Sequence, residues 1–476
     1  MRKIKKALAL SLAMAMGLSL VACGGNDDAT TEATEATEAT EATEAASDDA
    51  TEATEADASA TGAIAAPSTD GWDDSKKIYA YSWDEDFSKK MNVVLDKFPE
   101  YKDYVEFVTL GVGGTSDEYK TAIDTALTSG DKYPSLIPAD NDVAKYWSED
   151  DTKTANLTDL GFTDDVMANS YDFAKQYGTY NGELKAVTWQ ATAGSVFYRR
   201  DIAKEVLGSD DPETVQAALA DWDKFFETAD KLKNAGYKIV SGPSDVKYAI
   251  WDTQSQPWVT DDGSSEKLTL DGAVTEYFET GKKIYDGGYS NNTALWDSSW
   301  AADMANDSKV FCYFGCPWFI GSMQGNGAVD GNWGAVTGPT SYHWGGTYVM
   351  VGKDTPNPEL CAFLLYELTC DPDVGVDITN KTGDCVNNKA ANERLINGEL
   401  LSDNAAQKFL GGQNPIEVWA ASAEGINLSN VTYQDASIKA FIDEAATAYN
   451  SGTYTSVDDA VKYIEDKCAS ELGISK

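Results

Sequence analysis

One histidine, His343, is all that 476 residues contain, and no Cys-x-x-Cys pair occurs, so a zinc site built on imidazoles or paired thiolates has too few ligands. Ser-His nucleophilic chemistry is equally short of parts, since no Gly-x-Ser-x-Gly elbow is present. Positive charge is scarce: 37 Lys and Arg stand against 78 Asp and Glu, a net charge of −41. A surface so acidic repels polyanions, which excludes nucleic acid and anionic lipid as partners. Long apolar runs are missing apart from one. Ala7 to Ala22 is uncharged over sixteen residues, short of the roughly 20 that span a bilayer. It follows the basic Arg2, Lys3, Lys5 and Lys6, the pattern of a signal peptide.

The run ends in "LVAC" followed by Gly24 and Gly25, which resembles the bacterial lipobox and implies cleavage before a lipidated, palmitate-bearing Cys23. A Thr-Glu-Ala triplet repeat comes next, with no aromatic residue and no Lys or Arg. A period of three winds the Glu around every face of a helix, so no apolar stripe can form, and residues 24–71 read as a disordered tether. As a flexible coil it would reach on the order of 40 Å. That stretch holds 13 acids and no base. Setting it and the four N-terminal bases aside leaves −32 on residues 72–476. Six cysteines remain, Cys312, Cys316, Cys361, Cys370, Cys385 and Cys468; disulfides and small buried thiols are both open.

From Lys77 strands and helices alternate: "KIYAYSW", "DFSKKMNVVLDKFPEY", "YVEFVTLG", "SDEYKTAIDTALTSG" and "YPSLIPAD" spell βαβαβ. This predicts a parallel sheet covered by helices on both faces. Further on, "AVTWQATAGSVFYRRD" reads as extended, "DWDKFFETADKLKNAG" as a helix, and "YKIVSG" and "VFCYFGCPWF" as strands. Ligands of open sheets sit beyond the carboxyl ends of strands, where Asp140–Asp142 and "CPW" fall.

"YPSLIPADND", "NGELKAVTWQATAGSVFYRRDIAKEVLG", "MANDSKVFCYFGCPWF", "HWGGTYVMVGKD" and "AYNSGTYTSVDDAVKYIEDK" occur in that order. With them the chain, from about Lys77 to its end, resembles the extracellular solute-binding proteins of family 1, the maltodextrin-binding type that serves carbohydrate ABC importers. The resemblance implies an α/β, two-lobed periplasmic-binding-protein-like fold, with the ligand in a cleft between lobes joined by a hinge crossed more than once. Carried onto this sequence, residues 1–22 are the signal peptide and 23–71 the lipidated cysteine and tether. Residues 72–189 with 347–403 form one lobe, and 190–346 with 404–476 the other. The hinge falls at Trp189 and at Gly345–Gly346. The resemblance further implies a monomer without catalytic residues, metal or cofactor. It would take an oligosaccharide, meet ABC permease subunits, and sit on the cell surface through its lipid alone.

Trp318 stands where the family's "GPW" segment places a sugar-stacking tryptophan, with Cys316 replacing the usual small residue. One pyranose face is all C–H, and an indole covers it while leaving hydroxyls free; a core role is the alternative. Asp140, Asn141 and Asp142 sit on the loop after a strand, as a ligand-binding acid does in relatives, or they form a capping or turn cluster. Trp189 and Gln190 fall at the lobe crossing, Tyr248 and Trp251 in a segment that supplies aromatics in relatives, and Trp296 and Trp300, with Asp303, before a helix. His343 and Trp344 stand beside "GG", and Gln413 and Trp419 after another. Ala139 occupies the place of a tryptophan in maltodextrin binders, so a β-linked or branched oligosaccharide fits as well. A tethered glycoside hydrolase, which needs two carboxylates roughly 5–10 Å apart, and a binder of polyamines or peptides are the rival readings.

Overall fold

The computed structural model describes residues 62–476 except 262 and 264. The signal peptide, Cys23 and the Thr-Glu-Ala repeat lie outside the described residues. Residues 62–71, assigned above to the tether, run along the folded body: Ile64 packs on its core, and the Pro67 carbonyl accepts a hydrogen bond from Tyr101 Oη at 2.7 Å.

Eleven strands are present among the described residues: β1 Ile78–Ser82, β2 Val105–Thr109, β3 Pro134–Asp140, β4 Thr179–Tyr180, β5 Glu183–Leu184, β6 Ser195–Arg199, β7 Val259–Asp261, β8 Glu266–Leu268, β9 Cys312–Gly315, β10 Trp333–Val336 and β11 Thr347–Val351. A four-stranded sheet has the order β11-β3-β1-β2, and a three-stranded sheet the order β10-β6-β9. The expectation of a parallel sheet holds for β1, β2 and β3. It fails for β11, which returns antiparallel to β3, and for the second sheet, which is antiparallel throughout.

Local sequence explains the helices that cover the first sheet. In Asp86–Lys97 the buried Phe87, Met91, Val94 and Leu95 repeat at helical spacing, and Lys90 shares their face. Asp117–Ser129 opens with the Ser116 side chain accepting from the Tyr119 N–H and closes at Gly130 with φ 77°. Every residue of β3 but its last is buried, which is why "PSLIPA" reads as one apolar run rather than an alternation.

Three expected elements differ. "YKIVSG" forms only a single bridge, Lys238 to Val310; one residue on, the Cys312 N–H donates to the Ile239 carbonyl and the regular ladder ends. In "AVTWQATAGSVFYRRD" only Ser195–Arg199 is a strand; the preceding part is held by isolated bridges from Val187, Gln190 and Ala193 to Val349, Val386 and His343. Asp140–Asp142 is not a loop: the Asp142 N–H donates to Asp140 Oδ1 at 2.9 Å, which starts the Asn141–Ser148 helix directly at the strand end. The six described cysteines are free thiols, all buried.

Candidate functional site

Where β1 and β3 end, and where β11 begins, a cleft of about 460 Å³ opens toward the segment after β9. Trp83, Asp84 and Asp140 enter it from the carboxyl ends of β1 and β3. Pro317, Trp318, Ile320 and Gln324 face it from the other sheet. Gly345 and Gly346, at φ 67° and 111°, carry the chain past it in a backbone conformation that favours glycine.

Trp83 is half-buried, with its ring against the edge of Tyr119 at 5.7 Å. Its seat depends on Gly114, where an added Cβ would stand 2.9 Å from the indole. Trp318 occupies the cap position before the Phe319–Gly325 helix. Its Nε1–H donates to the Trp344 carbonyl at 3.2 Å, and the ring leans on Trp344 at 5.1 Å. With that N–H satisfied inside the protein, only the aromatic surface is left for the cleft.

Polar groups form the rest. Lys90 Nζ stands 2.7 Å from Asp86 Oδ1 and 3.6 Å from Asp384 Oδ2. Burial pushes the Asp384 carboxyl up against the pull of Lys90, whereas the Lys90 ammonium is held up by Asp384 and Asp86 in spite of its own burial. Gln190 ties this group to the sheet: its Nε2 donates to Asp384 Oδ2 at 3.0 Å, and its Oε1 accepts from the Thr347 N–H at 2.9 Å. Asp84 is exposed at the cleft, and the crowding of its carboxyl by the surrounding protein raises it even though it accepts from the Asp86 N–H. Burial and the Asp142 charge push Asp140 up to about 7.

The sequence candidates divide by place. Trp318, Asp140 and Gln190 line the cleft. Trp296 stacks on Trp318, and Trp344 backs it. Asn141, Asp142 and His343 meet at a separate small crevice with Lys145 and Tyr177. There His343 donates Nδ1–H to Asp252 Oδ2 at 2.6 Å and presents Nε2 to Asn141 Nδ2 at 3.1 Å. Tyr248 stacks on Trp344 at 5.1 Å, and Trp251 is buried behind it against Tyr277. Trp189 is buried on Phe87, and Trp300 is buried with its Nε1–H on Asp245. Asp303 accepts from Ser241 and Asn291. Gln413 spends its amide on both backbone groups of Ala335, and Trp419 donates to Ser195 in the core, so both serve the second sheet.

A family model described as bacterial extracellular solute-binding protein matches residues 94–408, which covers most of the chain. The chain belongs to that family. A solute-binding protein captures its ligand unchanged, and it is not an enzyme. No curated protein matches it in sequence. Among solved structures, an extracellular solute-binding protein of family 1 superposes with a TM-score of 0.68 at 17% identity, over 82% of this chain and 97% of the other. The galacto-N-biose/lacto-N-biose I-binding protein of an ABC transporter from Bifidobacterium longum, in complex with lacto-N-biose, gives 0.63 at 16%, over 85% and 100%. The ABC transporter-associated binding protein from B. animalis subsp. lactis Bl-04, in complex with β-1,6-galactobiose, gives 0.60 at 19%, over 84% and 99%. At these identities the likeness is one of fold.

Sequence reasoning passed over several residues that line the cleft of this solute-binding protein: Trp83, Asp84, Asp86, Lys90, Gln324 and Asp384. Trp83 and Asp84 carried a usable signal, because they follow the first strand where open sheets take ligands. Asp86 and Lys90 carried a weaker one, an acid and a base at i, i+4 on an otherwise apolar helix face. Asp384 carried none.

The raised carboxyls make stability depend on pH. Asp140 and Asp245, whose ordinary value is 3.8, are both held up to about 7, chiefly by burial. A folded value above the unfolded one means that their contribution is complete below about pH 4 and is lost as pH rises through about 7. The melting temperature of the ligand-free protein therefore rises as pH falls from 8 to 5, and Asp140→Asn or Asp245→Asn flattens that slope. Scanning fluorimetry across the range checks this; an unchanged slope in both variants contradicts it.

Proposed function

We propose that this solute-binding protein captures an uncharged oligosaccharide in the cleft and delivers it to the permease of an ABC transporter. The observation that carries the reading is the pairing of two tryptophans, Trp83 and Trp318, on one cleft with the carboxylates Asp84 and Asp140. Indole faces cover the C–H side of a pyranose, and carboxylates accept from its hydroxyls. Among the described residues the one cation lining the cleft, Lys90, is already held by Asp86 and Asp384, which disfavours an acidic sugar. Neighbours of the same fold bound to lacto-N-biose, β-1,6-galactobiose and maltotetraose support the same class. Residues 72–189 with 347–403 then act as one lobe and 190–346 with 404–476 as the other, and ligand favours the closed arrangement. The lipid on Cys23 holds the protein at the cell surface in this reading, which palmitate labelling of cells carrying Cys23→Ser tests.

The acids of the cleft favour a second reading, a polyamine. A thermal-shift screen separates the two. Lacto-N-biose, β-1,6-galactobiose, maltotetraose, galacturonate and spermidine are compared, with a response expected from a neutral sugar, because a ligand at 100 times its Kd stabilises by about 2.7 kcal/mol. A shift with spermidine alone replaces the sugar reading, and a shift with galacturonate alone removes the charge argument.

A further inference from the structure

Trp296 is the only exposed tryptophan among the described residues, with 45% of its surface open to solvent. It is also held in an unusual backbone. Its φ is 71°, in the left-handed region that bulky residues avoid because Cβ crowds the following carbonyl, and Asn292 in the same loop has φ 58°. Such a conformation persists only where the surroundings impose it. Here the surroundings are aromatic: Trp300 at 5.1 Å, Trp344 at 5.7 Å and Phe319 at 6.3 Å pack against the indole. The result is a ring lying parallel to Trp318, within 12° and with centroids 6.3 Å apart.

Aromatic packing holds the ring in that place, but core filling does not call for a strained backbone and an exposed face. A core tryptophan would be buried and unstrained, as Trp300 is, whereas Trp296 accepts strain and keeps nearly half of its surface wet. From these facts we infer that Trp296 is an outer sugar-binding subsite that continues the Trp318 platform beyond the cleft, so that the protein reads oligosaccharides of several units rather than single sugars. Two parallel indoles in succession suit the successive apolar faces of neighbouring pyranoses. The residues that follow are equipped for the hydroxyls: Asp297, Ser298 and Ser299 are exposed, and the Asp297 carboxylate makes no capping bond to its helix. The inference rests on the oligosaccharide reading of the cleft and adds ligand length and a second contact to it.

The test is titration calorimetry with two homologous series, β-1,6-galactooligosaccharides and maltooligosaccharides, each from the monosaccharide to the tetrasaccharide. For the series that the wild type binds, Trp296→Ala is expected to weaken the shortest binding member less than twofold and the tetrasaccharide about tenfold. Trp296→Gly should give the same pattern while leaving the ligand-free melting temperature at or above that of the Ala variant, since glycine carries no strain at φ 71°. A loss that is equal at every length overturns the subsite, and so does no loss at any length. Trp318→Ala in parallel keeps the two ideas apart. If it weakens every length while Trp296→Ala weakens none, the cleft reading stands and the outer subsite falls. If neither series binds the wild type, the outer subsite falls, and the thermal-shift panel with lacto-N-biose decides the cleft reading by itself.

Discussion

Trp318→Ala is expected to weaken oligosaccharide binding by about 30-fold or more, a cost on the order of 2 kcal/mol, while the ligand-free fold survives. The indole lines the cleft, is only half-buried, and touches Trp296, Phe319 and Trp344 while its N–H donates to the Trp344 carbonyl. Truncation therefore removes a cleft-facing surface and leaves Phe319 and Trp344 packed on each other at 5.3 Å. A fully buried tryptophan such as Trp300 behaves differently, costing roughly 3–5 kcal/mol of stability when truncated. Calorimetry with β-1,6-galactobiose or maltotetraose, whichever shifts the wild type, and thermal unfolding of the ligand-free variant measure the two quantities. Large destabilisation with affinity retained would move Trp318 from the cleft wall to the core.

Lys90→Met is expected to destabilise the ligand-free protein by about 3–5 kcal/mol near pH 7.5, because it strands the buried Asp384 carboxylate without its cation. Burial already pushes Asp384 up, so the stranded carboxyl takes up a proton as the pH falls, and the loss shrinks toward pH 5. The double variant Lys90→Met/Asp384→Asn should regain much of the loss, since no buried charge is left unpaired. Denaturant unfolding at both pH values checks this. A loss below about 1 kcal/mol, or a double variant weaker than the single, would show that Lys90 contributes reach rather than charge.

The cleft was partly legible. Trp318, Asp140 and Gln190 reach it from positions that strand ends and the family resemblance pointed to. Trp251, Trp300, Gln413 and Trp419 show why the remainder was not. A tryptophan or glutamine beside a glycine looks the same in sequence whether it faces a cleft or a neighbouring strand. Asp140–Asp142 makes the point at single-residue scale. Helix geometry turns Asp140 to the main cleft and Asn141 and Asp142 to the crevice of His343, a separation no string of three letters contains.

Local pattern determined, from the sequence by itself, that β1, β2 and β3 alternate with amphipathic helices, because burial on one face writes a 3.6-residue repeat into each helix and burial on both faces leaves β3 as one apolar run. Composition likewise set the expectation that polyanions are poor partners. The tertiary structure alone decided that Lys90 meets Asp384, that Trp83 shares a cleft with Trp318, and that Trp296 lies parallel to Trp318 in a left-handed backbone. Each of those depends on long-range packing between segments far apart in the chain, and the free energy of such contacts leaves no periodic trace in either segment read alone.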